Sequence, residues 1–325
     1  MWRVTLHEKL FEVRRFCPIR LKFDWIPSGF DLPEKHFEHR IATLSRRLTE
    51  IANSVGTDKG TVAGQAHAYT IVYELLLADR TGSPINLMEI GMSIGGPELG
   101  FPASRIVEDT PSVRMWHEYF PRANIYGIDI SDCSRFQTDW FHFYQVDCGD
   151  KYRLSEIAKC LSRSGTKFDV IMDDGSHASY HQQLTFLKFF SLLKPGGLYV
   201  IEDLDFVPLN IERVLPAVPR TREVLGQIVR YGCVVSGGAF SSLDWETVLP
   251  QVAGILVFDG AYLAELRNQF NLAAKVPLSA AAGAEPFSTL RGIARDLRSI
   301  WRGATGRKLS PRFARAKLAI IQKSP

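Results

Sequence analysis

The sequence predicts an α/β fold, a doubly wound and mostly parallel sheet preceded by a helical extension and closed by an antiparallel hairpin. Three observations lead there. Short runs rich in β-branched and aromatic residues alternate between residues 86 and 201 with segments that read as helices or loops, the signature of a parallel sheet covered on both faces. Glycines follow the first of these runs and acids end several others, which is where open parallel sheets bind ligands. The chain has 325 residues, 46% hydrophobic and 23% charged, enough to bury a large core; its length suits about two folding units.

Composition narrows the function classes. Apolar runs such as residues 71–78 are interrupted by Glu or Arg and fall short of the roughly 18 residues that a membrane helix needs. Residues 1–23 place Glu8, Glu12, Arg14 and Arg15 where a secretory signal would be apolar, so a cytoplasmic chain is expected. Cys17, Cys133, Cys148, Cys160 and Cys233 form no C-x-x-C or C-x-x-H arrangement, which predicts free thiols rather than zinc or redox chemistry. The net charge is +4, yet residues 291–325 hold ten Lys or Arg against Asp296, so that stretch carries +9 and the remainder −5. Nucleic-acid binding by the main body is therefore not expected.

Taken in order, residues 1–33 are punctuated by Pro18, Pro27 and Pro33 and predict irregular structure. Phe37, Ile41, Leu44, Leu48 and Ile51 recur at three and four residues, predicting an amphipathic helix over 34–54 that ends near Gly56. A second helix is expected over 65–80, broken by Gly82, Ser83 and Pro84. Strands follow at 86–91, 124–130, 141–146, 168–173 and 198–201. Residues 254–258, Asp259-Gly260 and 261–266 read as a hairpin, since Asp-Gly is a strong turn dipeptide. Residues 272–286 read as an Ala-rich linker. Beyond them Ile293, Leu297, Ile300 and Trp301 share one face of a helix whose other face is Arg-rich, suiting an anionic membrane surface, a partner protein or simply a solvated basic tail. The expected division is an extension over 1–83, the main domain over 84–269, and linker and tail over 270–325.

The first strand runs into Glu89-Ile90-Gly91-Met92-Ser93-Ile94-Gly95-Gly96, where glycines let the backbone turn tightly and approach a ligand. The next strand ends in Asp129, placed to meet a ribose diol. From Gly95 to Asp129 is 34 residues, longer than the roughly 20 of a dinucleotide-binding unit, which argues against an ordinary NAD enzyme. Asp147, after the third strand, suits either a base amine or a helix cap.

The fourth strand ends in Met172-Asp173-Asp174-Gly175-Ser176-His177. The fifth, after a turn at Lys194-Pro195-Gly196-Gly197, ends in Ile201-Glu202-Asp203. Two adjacent strands would bring four carboxylates to one rim, where uncompensated charge is unfavourable. A hard divalent cation such as Mg²⁺ resolves the conflict, and so would capping or pairing with Lys and Arg. His177 stands near that position, where an imidazole could remove a proton from a polarised hydroxyl, and His181 would share its helix face.

Together with Ser112-Val113-Arg114-Met115-Trp116, Tyr119-Phe120-Pro121, Gly127-Ile128-Asp129-Ile130 and Pro195-Gly196-Gly197-Leu198-Tyr199-Val200-Ile201-Glu202-Asp203-Leu204, these segments resemble the mycinamicin and macrocin sugar O-methyltransferases. Gly56-Thr57-Asp58-Lys59 with His67 and Tyr69 is similar to that family's approach to the first strand. The resemblance covers roughly residues 54–266. It implies a seven-stranded, Rossmann-like class I methyltransferase fold that uses S-adenosylmethionine and Mg²⁺. Asp174, Glu202 and Asp203 would hold the metal and His177 would be the base. Glu89 and Gly91 would line the methionine end of the cofactor and Asp129 its ribose. Apart from the resemblance, Ser93, Gly95, Asp147 and Asp173 are also expected in the cofactor set. The loop between Gly96 and Ser112 lacks the paired glycines that family members tend to carry.

The expected function is methylation of a hydroxyl on a glycosyl or polyol-bearing small molecule in natural-product or saccharide tailoring, with a homo-oligomer left open. Its rivals are a tailoring hydroxylase resembling the cephalosporin type and a non-catalytic cofactor-binding protein docked through its basic tail.

Overall fold

The computed structural model describes residues 45–62, 66–93, 95–273 and 315–325. Helix α1 (Arg47–Val55) buries Leu48, Thr49, Ile51 and Ala52, and it ends where Gly56 turns left-handed (φ 83°) and donates its N–H to Ala52 O. This is the last part of the amphipathic helix expected over 34–54; residues 34–44 lie outside the described residues. Helix α2 (Tyr69–Leu77) buries all nine of its residues and runs on as a 3-10 turn over Ala78–Arg80. A helix buried on every side is a core element rather than a surface extension.

Then strands and helices alternate. Strand β1 (Asn86–Ile90) precedes α3 (Pro111–Tyr119), β2 (Asn124–Asp129), β3 (Phe141–Gln145), α4 (Lys151–Arg163), β4 (Phe168–Asp173), α5 (Ser179–Phe189) and β5 (Leu193–Ile201). The start of α4 is fixed by Asp150, whose carboxylate accepts the N–H groups of Tyr152 and Arg153, as an N-cap does. Short helices α6 (Leu209–Glu212), α7 (Thr221–Tyr231) and α8 (Ser242–Glu246) follow, then β6 (Val252–Asp259), α9 (Gly260–Ala273) and β7 (Ala316–Lys323).

The seven strands run in the order β3-β2-β1-β4-β5-β7-β6. The first five are parallel, and β7 lies antiparallel to both β5 and β6. Leu87, Val170, Val200 and Ile320 pack on one face with α1, α2, α3 and α9, while Met88, Ile171, Tyr199 and Ile321 pack on the other with α4, α5 and α7. The alternation at neighbouring positions is the period-2 pattern of a sheet covered on both sides. No helix among the described residues is long and apolar enough to cross a membrane.

Three expectations are corrected here. The antiparallel pair that closes the sheet exists, but residues 261–266 are not its second arm. Asp259 accepts the Tyr262 N–H at 2.9 Å and so caps a helix where Asp-Gly had suggested a turn, and Leu263, Leu266 and Phe270 enter the core at helical spacing. The second arm is β7, drawn from residues expected to be a basic tail, and its Leu318, Ala319, Ile320 and Ile321 are fully buried. Lys194-Pro195-Gly196-Gly197 is not a turn ahead of β5 but an irregularity inside it, between the pairs Phe168–Leu193 and Val170–Leu198. The expected structure of residues 1–33, most of the Ala-rich linker and the Arg-rich helix around Trp301 lie outside the described residues.

Candidate active site

A cleft opens beyond the carboxyl ends of β1, β4 and β5, which are neighbours in the sheet. Its floor is Gly91. This residue has φ 80°, and a Cβ there would lie 2.2 Å from the Asp174 carbonyl oxygen, so only glycine lets β1 and β4 converge as they do. Asp174 N–H to Ile90 O at 2.8 Å ties β4 to β1, and Gly91 N–H to Ile128 O at 2.7 Å ties β1 to β2 on its other side. His177 (φ 61°) and Asp203 (φ 48°) also take left-handed backbone conformations, which cost roughly 1–2 kcal/mol for residues with a Cβ. Strain of this kind clusters at functional sites.

Asp174, His177 and Asp203 each offer one ligand atom, and these atoms lie within 4.8 Å of one another. Asp203 is oriented by Tyr69, whose hydroxyl donates to Oδ1 at 2.7 Å, and by Lys317 Nζ at 3.0 Å. His67 Nε2 is 3.8 Å from its other oxygen. Burial pushes the Asp203 pKa up, but His177, His67, Lys317 and the Tyr69 hydroxyl overcome it and bring it down to about 2. The His177 ring meets Phe206 edge-on, with centroids 5.6 Å apart.

Behind this trio stands a cation that no motif had assigned. Lys59 is 1% exposed; its ammonium pairs with Asp174, approaches Glu202 Oε2 to 3.0 Å and lies 3.9 Å from Glu89 Oε1. Burial alone would lower its pKa, yet Asp174, Glu202 and Glu89 raise it well above the ordinary value. Tyr73 donates to the second Glu202 oxygen at 2.7 Å. Burial and the charge of Asp174 hold the Glu202 pKa well up in spite of Lys59.

The residues expected at the site divide into two groups. Gly91, Ser93, Gly95, Asp174, His177 and Asp203 line the cleft. Glu202 does not join the trio, because both of its oxygens are taken by Lys59 and Tyr73. Glu89 is fully buried behind Ser112, which donates to Oε2 at 2.9 Å; burial, opposed by Lys59 and Ser112, pushes its pKa up to about 7. Asp129 accepts the N–H groups of Met92 at 3.0 Å and Ser131 at 2.8 Å, fastening the β1 loop to the end of β2. Asp173 faces the protein interior, bonded by Thr185 and by the Tyr199 hydroxyl at 3.1 Å, and burial raises its pKa to about 6 against those bonds. Asp147 accepts from Gly149 N at 2.7 Å, and His181 is held by Ser176 Oγ at 2.6 Å. Sequence reasoning assigned no role to Lys59, Tyr73, Lys317 or Phe206.

No protein-family model matches the chain. It is similar to the 8-demethyl-8-alpha-L-rhamnosyl tetracenomycin-C 2'-O-methyltransferase of Streptomyces olivaceus, 36% identical over 158 residues, which are 49% of this chain and 38% of the relative. It is also similar to the Mycinamicin VI 2''-O-methyltransferase of Micromonospora griseorubida, 36% identical over 160 residues, covering 48% of this chain and 36% of that one. Among solved structures, the MycE methyltransferase from the mycinamycin biosynthetic pathway in complex with Mg and SAH aligns over 65% of this chain and 52% of its own, with 28% identity and a TM-score of 0.50. The fold is that of the methyltransferases. The named relatives are sugar O-methyltransferases, and the match spans less than two-fifths of the length of either curated one.

Proposed function

We propose that this chain is a cytoplasmic, S-adenosylmethionine-dependent and Mg²⁺-dependent O-methyltransferase acting on a hydroxyl of a sugar-bearing small molecule in natural-product tailoring. The observation that carries the reading is the meeting of Asp174, His177 and Asp203 within 4.8 Å at the mouth of a glycine-floored cleft. Relatives named for methylating sugar hydroxyls support the acceptor class. The four free thiols among the described residues support a reducing compartment.

The residues fit both groups. Carboxylate oxygens are the donors that Mg²⁺ prefers, and one or two carboxylates leave positions for substrate oxygens; Asp174 and Asp203 would hold it. Gly91, Ser93 and Gly95 form a backbone cradle for the cofactor, and Glu89 Oε1 is buried without a hydrogen bond, with Lys59 3.9 Å off and the Trp116 indole also beside it. When bound, S-adenosylmethionine supplies an electrophilic methyl group and the cation polarises the acceptor hydroxyl.

The chain's own groups do the rest. His177 takes the hydroxyl proton at a ring nitrogen. Its Nδ1 is buried and hydrogen-bonded by no described residue, and Phe206 steadies the ring. Leu99 and Phe206 line the cleft beside it and are 54% and 40% exposed. Leu209 lies exposed on α6, which is bound to the Leu99 turn by Asn210 Nδ2 to Pro97 O at 2.7 Å. This apolar lip supports an acceptor whose sugar is attached to an apolar body.

The test is incubation of the full chain with methyl-labelled S-adenosylmethionine, Mg²⁺ and a panel of glycosides. Label in a product heavier by one CH₂, lost on adding EDTA, is expected. A product heavier by one oxygen would favour the hydroxylase alternative, and cofactor binding without turnover of any glycoside would favour the non-catalytic one.

A further inference from the structure

His181 stands in the first turn of α5 and is only 7% exposed, yet nothing in the chemistry above uses it. Its ring lies between two loops. Nδ1 is 2.6 Å from Ser176 Oγ, in the turn that carries Asp174 and His177 away from the end of β4. Nε2 is buried with no hydrogen bond from a described residue, and it faces the loop after β3, with Asp147 Oδ1 at 3.9 Å. That loop fits closely against the ring, for a Cβ on Gly149 would lie 2.7 Å from Nε2.

The ring acts through Ser176. Its Oγ also accepts the Ala178 N–H at 3.3 Å, a bond that spans His177. The backbone of His177, at φ 61°, is unfavourable for a residue with a Cβ and persists only where its surroundings fix it. A serine hydroxyl bonded to a buried ring cannot turn away without leaving that ring's nitrogen unpaired. Helix α5 is itself fixed against the strand ends, since Gln182 Nε2 donates to Glu202 O at 3.1 Å and Thr185 Oγ1 donates to Asp173. His181 therefore carries the position of α5 into the turn. The Asp147 carboxylate favours the ring proton on Nε2, which leaves Nδ1 to accept from the Ser176 O–H.

We infer that His181 is a positioning residue for methyl transfer: its Nδ1, by accepting from Ser176, holds the left-handed turn that presents His177 to the cleft. The inference rests on the reading of His177 as the base given above.

The two nitrogens of the ring can be tested apart, because Asn places its amide oxygen where Nδ1 stands and Gln places its polar end where Nε2 stands. For the full wild-type chain, His181→Asn, His181→Gln and Ser176→Ala, kcat and KM are measured beside S-adenosylhomocysteine affinity and melting temperature. His181→Gln and Ser176→Ala are expected to lose about 10- to 100-fold in kcat while KM and cofactor-product affinity stay within about threefold, as misplacement of a base does. His181→Asn is expected to keep kcat within about threefold of wild type, although the smaller side chain melts no higher than His181→Gln. A histidine that merely fills space predicts that kcat follows melting temperature. His181→Gln as active as His181→Asn, or Ser176→Ala with kcat within about threefold of wild type, overturns the inference; should neither His181 variant fold, Ser176→Ala decides. Long-range ¹H–¹⁵N spectra of the cofactor-free chain labelled at histidine are expected to show His181 with its proton on Nε2, and a proton on Nδ1 overturns the inference. Wild type inactive on every glycoside would overturn the reading of His177 as the base, and this inference with it, whereas active wild type with an unaffected Ser176→Ala overturns the inference alone.

Discussion

Replacing Gly91 with Ala tests the joint on which the cleft is built. The new methyl group would stand at φ 80°, 2.2 Å from the Asp174 carbonyl oxygen and 2.7 Å from both Asp174 C and Gly175 Cα. All three are backbone atoms, so no side chain can swing aside. A left-handed alanine costs roughly 1–2 kcal/mol. Relief of the contact requires the ends of β1 and β4 to part, which stretches the Asp174–Ile90 bond, worth about 1 kcal/mol. The sum is about 2–3 kcal/mol, or a fall in melting temperature of roughly 4–12 °C for a domain of this size. Gly175 is the control, since a Cβ there finds its nearest neighbour at 3.5 Å and Gly175→Ala is expected to melt close to wild type. Differential scanning calorimetry of both variants, with S-adenosylhomocysteine affinity by titration calorimetry, reads the result. Gly91→Ala melting within about 2 °C of wild type and binding the cofactor product normally would refute the close approach of the two strands.

Other expectations follow from the same geometry. His177→Asn keeps a residue that tolerates the left-handed conformation, so it is expected to fold normally while kcat falls by about 10² to 10⁴; full activity in the folded variant would remove His177 as the base. Tyr69→Phe deletes a hydrogen bond to a carboxylate and is expected to cost about 1.5–3 kcal/mol in urea unfolding and to weaken Mn²⁺ binding, whereas unchanged metal affinity would show that Asp203 needs no such support. Glu89 titrates at about 7 in the fold against an ordinary 4.5, so its contribution to stability is full below 4.5 and is lost as pH rises through 7, to a limit of about 3 kcal/mol. His181, lowered by burial, acts in the opposite sense, losing stability as pH falls below its ordinary range. The difference between Glu89→Gln and wild type isolates the glutamate: the stability of the variant relative to wild type is expected to grow from pH 5 to pH 8, and a difference independent of pH would show that Glu89 is ionised throughout.

Much of the fold was legible because buried parallel strands carry their own signal. Runs such as Asn86–Ile90, Asn124–Asp129 and Phe168–Asp173 are short, apolar and β-branched, and their ends carry the glycines and acids that a ligand-binding rim requires. Strand β7 was not, because Ala316–Lys323 sits in a stretch with a large excess of Lys and Arg, and composition averaged over that stretch hides eight residues with a buried centre. Its lysines lie near the ends, where Lys317 reaches Asp203 and Lys323 reaches the carbonyls of Ser191 and Leu193. At Asp259-Gly260 the local signal pointed the wrong way, since the same carboxylate that favours a turn also caps a helix. Only the spacing of Leu263, Leu266 and Phe270 distinguishes the two outcomes.

For the site, the motifs named the acids but not what balances them. Glu89, Asp174, Glu202, Asp203 and Asp205 come from the ends of three strands and the loop beyond, whereas Lys59, Tyr69 and Tyr73 come from the segment ahead of the sheet and Lys317 from its last strand. Except for Lys59 with Glu89, such pairing spans more than a hundred residues and leaves no spacing to read. Yet it decides the chemistry of the rim. Two lysines face five carboxylates, and they are placed unequally: Lys59 meets Asp174 and Glu202 from the buried side, and Lys317 bridges Asp203 and Asp205 nearer the solvent. Between those two ammonium groups Asp174 and Asp203 converge with His177. Their oxygens meet where the cleft is open, and they are the hard donors that a divalent cation takes.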